Sequence, residues 1–282
     1  MIGATRRAYQ SAVFGVNAAL GRYRFRPAGR GLARAGVGLL LATAALAQPL
    51  VSGVCQAVVL PDTTALRTAD GSLLSALVYR PPAPLAPVRA VVWLGRIEGE
   101  TGPTLDCLGA GLAARGLWVV APAERRSAGR RNGASAGDVF GERQGDGLAA
   151  LGYLLDSLDV PMERVILAGE ETGAALAAWS ASRVSGTPLG FVFVNPRFTV
   201  GDLDLLPIVR GLDRPSVVLL EEEVPVSYEA GRALYLSMRE RCRLWQFGGA
   251  GGRLAHVLGD AEACDGIARD LAEWTRDQTQ PN

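Results

Sequence analysis

Two glutamates bracketed by glycines, Gly169–Glu170–Glu171–Thr172–Gly173, follow an apolar run at 165–168 and lead into an alanine-rich stretch that reaches Trp179. A short apolar run reads as a buried strand and the alanines as a helix, so the segment between them is a strand-to-helix turn. A glycine at each end lets the helix backbone pass close to the strand with no Cβ in the way. A carboxylate at the tip of such a turn is a weak nucleophile toward esters and amides. Any charge relay would have to use His256, the only histidine in the chain. A second acidic group, Glu221, Glu222 and Glu223, follows the apolar run at 216–220. Its simpler reading is a solvated turn at a helix start, where the helix dipole favours negative charge.

The elements around these residues alternate. The runs at 64–68 and 73–79 flank Asp70–Gly71 and read as a hairpin on a type I′ turn. Wholly apolar runs at 90–94 and 117–122 fit strands buried on both faces. A helical pattern at 104–115 lies between them, and further helices are expected at 146–158, 226–240 and 260–277. Strands at 191–196, 216–220 and 243–247 complete the set. Repeated strand–helix–strand units of this size imply a mostly parallel sheet with helices on both faces and right-handed crossovers. The segment at 125–138, rich in arginine and glycine, reads as a solvated loop, because nothing spaces its glycines as a phosphate cradle.

Composition bounds the function. With 282 residues, 49% hydrophobic and 20% charged, the chain is long enough for one α/β domain and too apolar to be disordered. Its net charge of +1 gives no global case for nucleic acid. All 29 basic residues apart from the histidine are arginine, which serves ordinary surface duty as well as lysine does. The front of the chain is different. Residues 1–57 form a basic, acid-free leader, and the run at 35–60 is apolar. A small-x-small site, Ala45–Leu46–Ala47, suggests a cleaved export signal. The apolar run is also long enough to act as an uncleaved membrane anchor, which would still place the 58–282 domain outside. Periplasm or the outer face of the inner membrane is the expected location, with an organelle transit peptide as the alternative. The domain holds Cys107, Cys242 and Cys264. No Cys-x-x-Cys or Cys/His cluster exists, so neither a metal site nor a cofactor is expected.

The order of these parts, from hairpin through glycine-bracketed turn to the late strand ending at Glu221, resembles the α/β-hydrolase superfamily. The resemblance implies that Gly169, Glu170, Thr172 and Gly173 frame a nucleophile elbow in which Glu171 stands where Gly-x-Ser-x-Gly places its serine. It implies an oxyanion loop at Gly95 and Arg96, with Leu94 where a histidine often precedes the glycine. The family's acid would fall at Val224 and its histidine at Gly251 or Gly252. The fallback set is Glu171, Glu223 and His256, with Glu221 or Glu222 as other acids and another serine as another nucleophile. The first and last helices of this fold cover the same sheet face, so a Cys107–Cys264 bridge fits its geometry. Because each triad member alone is worth orders of magnitude in rate, the expectation is a non-catalytic hydrolase-like protein that binds a small ligand or a protein. The alternative is a weak or atypical carboxylic-ester hydrolase using His256.

Overall fold

The computed structural model describes residues 59–96, 103–123, 136–248 and 254–278. The expected leader, all but the last two residues of the apolar anchor, Gly251, Gly252 and most of the basic loop lie outside these residues, and so does the side chain of His256. Strands β1 (Asp62–Arg67) and β2 (Leu73–Tyr79) pair antiparallel, with Arg67 opposite Leu73. Their connection is not the two-residue type I′ turn expected from Asp70–Gly71, because only Gly71 takes a positive φ, +82°. The Gly71 N–H donates to the Thr68 carbonyl at 2.9 Å and the Thr68 N–H to the Ser72 carbonyl at 3.0 Å. Asp70 instead accepts from the Ser72 N–H at 3.1 Å, closing a longer turn with its side chain.

The central sheet has eight strands in the order β1-β2-β4-β3-β5-β6-β9-β10. Here β3 is Ala90–Leu94, β4 Trp118–Pro122, β5 Val165–Glu170, β6 Gly190–Val194, β9 Ser216–Glu221 and β10 Cys242–Phe247. From β4 onward across the sheet all neighbours run parallel, while β2 meets β4 antiparallel. A separate short pair, β7 (Thr199–Val200) with β8 (Leu203–Asp204), follows β6. Buried β residues alternate between two cores. Val91, Trp93, Ile166 and Ala168 face α1 (Pro103–Ala113) and the last helices, whereas Val92, Leu94, Val165 and Leu167 face the helices on the other side. This is the alternation a strand imposes, doubled because both faces are covered.

Helix α2 (Ala136–Gly152) begins well before the expected 146 and runs on into a π turn at Tyr153–Ser157. Its glycines argue against a helix on propensity. Tertiary contacts override them: Phe140 is fully buried, and Arg143 pairs with the buried Asp146 one turn on, at 3.2 Å. Helix α3 (Gly173–Ala181) is buried almost throughout, as its alanines allow. Helices α4 (Leu206–Leu212) and α5 (Pro225–Ser237) complete that face. A short α6 (Leu254–Gly259), which the sequence reading did not separate, precedes α7 (Ala261–Asp277), and the Asp260 side chain caps α7 by accepting from the Ala263 N–H at 2.8 Å. Helices α1, α6 and α7 share one core cluster. Across it, Cys107 of α1 is bonded to Cys264 of α7 with Cα atoms 5.9 Å apart. Cys242 is left as a buried free thiol, and burial pushes it up to about 12, which keeps it inert. Among the described residues no helix is long and apolar enough to cross a membrane.

Candidate functional site: an ion-paired elbow

The turn from β5 into α3 is a tight elbow held from several sides. Glu171 has φ +47°, a left-handed conformation that costs a non-glycine residue energy and persists only where its surroundings fix it. Here both of its backbone groups are engaged. Its N–H donates to the Val194 carbonyl at 2.9 Å, and its carbonyl accepts from Arg197 N–H at 3.0 Å and Ala174 N–H at 3.1 Å. The flanking glycines are required by contact. A Cβ on Gly169 would stand 2.5 Å from the Ala174 backbone, and one on Gly173 only 2.0 Å from the Leu94 carbonyl oxygen. The end of β3 therefore packs directly against the start of α3.

The side chains at this elbow form an ionic cluster. Glu170, whose side chain is only 4% exposed, accepts on Oε1 from Arg96 Nη2 at 3.0 Å, Arg96 Nε at 3.2 Å and Thr104 Oγ1 at 3.3 Å. Glu171 places Oε1 3.4 Å from the same Nε, and its side chain is 25% exposed. So the buried carboxylate is Glu170 rather than Glu171, although an arginine partners both. Arg96 is fixed in turn by Arg143, whose Nη1 donates to the Arg96 carbonyl. Burial lowers the proton affinity of the Arg96 guanidinium, but the charges of Glu170, Glu171 and Glu221 outweigh that and raise it on balance, so it stays cationic.

Burial is also the first cause of a raised Glu170 pKa, above its ordinary 4.5, with Arg96 pulling the other way and Glu171 adding to the rise. The folded chain thus holds this proton more tightly than the unfolded chain. The contribution favours the folded state at low pH and is lost as the pH rises from about 4.5 through the raised value. In Glu170→Gln that slope is expected to vanish. Urea midpoints taken across acidic to neutral pH should then show the variant gaining on the wild type as pH rises. A constant difference would contradict the assignment.

Gly95 and Arg96 lie directly beyond β3, beside the elbow. Val224 occupies the N-cap of α5 ahead of Pro225 and offers no carboxylate. Glu222 and Glu223 are exposed, while Glu221, the last residue of β9, is half-buried and close enough to act on Arg96. His256 lies in the backbone of α6. Asn195, with φ +45°, follows β6 and accepts the Glu221 N–H on Oδ1 at 2.8 Å, tying the end of β9 to the strand that braces Glu171. Sequence reasoning missed Arg143, Thr104 and Asn195. The i,i+3 spacing of Arg143 and Asp146 on the helix was the available signal for the first. Among the described residues no group of three or more His, Cys, Asp or Glu side chains is arranged to hold a metal ion.

No family model and no curated protein matches the chain. Solved structures do. An esterase of Pyrococcus furiosus is 14% identical, with 78% of this chain and 91% of that one covered at a TM-score of 0.60. Esterase 2 of Thermogutta terrifontis is 18% identical, covering 79% and 97% at 0.56, and a bacterial heroin esterase is 14% identical, covering 82% and 87% at 0.57. At such identities the likeness speaks for the fold. Strand order, elbow and helix layers agree with it, and the chain has the fold of the α/β-hydrolase superfamily.

Proposed function

We propose that the protein is an exported or membrane-anchored member of this fold that does not catalyse hydrolysis and serves in binding or protein interaction. The observation that carries the reading is the Arg96 guanidinium lodged against Glu170 and Glu171. In an active elbow the tip holds a nucleophile free to attack beside donors awaiting an oxyanion. Here the tip holds a carboxylate with a cation already against it. Attack by that carboxylate would also require it to leave its counter-ion and form an anhydride that water must then cleave. Export is supported by the leader and by the Cys107–Cys264 bridge, since such bonds persist in oxidising compartments. N-terminal sequencing of the mature protein tests it, and an intact cytoplasmic Met1 start would refute it.

A second reading, an atypical carboxylic-ester hydrolase using Glu171, Glu223 and His256, is favoured by the esterases among the structural neighbours. Release of nitrophenol from a short-chain nitrophenyl ester separates the two, because a glutamate nucleophile forms an anhydride that water cleaves and so keeps no stable label. The non-catalytic reading expects no release by the native chain beyond that of the heat-unfolded control. Release that is lost in both Glu171→Ala and His256→Ala would support the second.

A further inference from the structure

The geometry points to a binding site for a small carboxylate on the Nη1–Nη2 edge of Arg96, where the nearby Glu171 carboxylate competes for the guanidinium charge. This rests on the non-catalytic reading and names the chemistry of its ligand.

Arg96 treats its two glutamates unequally. Its single Nε–H and one Nη2–H are both directed at Glu170 Oε1, in a carboxylate that Thr104 also holds and that is almost fully enclosed. Glu170 is thus an anchor. Glu171 lies 3.4 Å from Nε, yet that nitrogen's only proton is already donated to Glu170, so the second contact is an ion pair without a hydrogen bond. Such a pair, with the carboxylate partly exposed, is weakly held.

The Arg96 side chain is 45% exposed. Among the described residues no acceptor takes the Nη1 protons, so the Nη1–Nη2 edge remains open to an external acceptor. That edge is one of the two with which arginine grips a carboxylate by two parallel bonds. Rigidity favours the same use, because Glu170, itself held by Thr104, holds the Arg96 side chain while Arg143 holds the Arg96 carbonyl, leaving little ordering to be done on binding. The start of α3, a helix of nine residues, adds the positive end of its dipole beside Glu171. Glu171 stands at Nε and not on that edge, so a ligand carboxylate there gains two hydrogen bonds that Glu171 lacks while competing with it for the guanidinium charge. A neutral ester or amide gains neither of these terms.

The test uses the full-length protein with acetate, butyrate and benzoate as probes. Thermal unfolding and protein-observed NMR titration are run at constant ionic strength, with acetamide, butyramide and benzamide as neutral controls. Two charge-assisted bonds from a preorganised arginine support dissociation constants of about 1–10 mM. In Glu171→Gln, which removes the competitor and leaves the Arg96–Glu170 pair intact, binding is expected to tighten on the order of tenfold. In Arg96→Gln saturable binding should disappear. Because that substitution strands a buried carboxylate and threatens folding, the Glu171→Gln arm decides the matter by itself. The proposal is overturned if the wild type and Glu171→Gln both fail to saturate, if the amides bind as well as the acids, or if Glu171→Gln binds more weakly. Any of those results leaves non-catalysis standing. Ester turnover would overturn non-catalysis without touching carboxylate binding.

Discussion

Gly173→Ala is expected to be among the most damaging single substitutions in the domain, costing at least ~3 kcal/mol and leaving little soluble protein. The added Cβ would stand 2.0 Å from the Leu94 carbonyl oxygen and 2.5 Å from that of Gly95. Both contacts are backbone, so no side-chain rotation relieves them. Relief requires moving α3 away from β3, which would pull Glu171 off the Val194 and Arg197 hydrogen bonds that hold its positive φ. Gly211→Ala is the matched control, a glycine in α4 where an added methyl would meet nothing within 4 Å. There alanine should be neutral to stabilising, by up to ~1 kcal/mol, on helix propensity alone. Urea denaturation of the two variants gives the comparison. Equal midpoints would mean that the close approach of β3 and α3 is not real.

The second large effect belongs to the disulfide. Cys107 and Cys264 are 157 residues apart in sequence, so the bridge removes a wide range of open conformations from the unfolded chain. Loop-closure entropy and the usual behaviour of native bridges place its contribution at about 2–5 kcal/mol. Cys107→Ser with Cys264→Ser should therefore lower the urea midpoint strongly, and reductant should do the same to the wild type but not to the double variant. Thiol titration of the denatured, unreduced protein should find the bridged pair unreactive. The local consequence concerns the elbow, since Thr104, which holds Glu170, lies one turn before Cys107 on the same helix. A loosened α1 should relax that contact along with the core between α1 and α7.

Much of the fold was legible because its strands are short, apolar and bounded by glycine or proline. The runs at 90–94 and 216–220 became strands almost to the residue. Helix α2 was harder. Its first half carries glycines that read as loop, and it is helical because Phe140 is buried and Arg143 meets Asp146, contacts that no local pattern displays. The Asp70–Gly71 turn failed for a related reason, since the Asp70 side chain bonds to Ser72 and makes the tight two-residue geometry unnecessary. At the site, the glycine frame announced the elbow. The ionic cluster was not visible, because Arg96, Glu170 and Thr104 come from separate elements that only the sheet brings together. Nor did the sequence distinguish the two glutamates. Alternation along β5 buries Glu170, and the elbow turns Glu171 outward.

The central claim is that the elbow keeps its geometry and has lost its reaction. Steady-state hydrolysis of short-chain nitrophenyl esters by the purified full-length protein, beside Glu171→Ala and His256→Ala, tests it most directly. All three proteins should match the protein-free rate. Turnover by the wild type that disappears in either variant would contradict the claim.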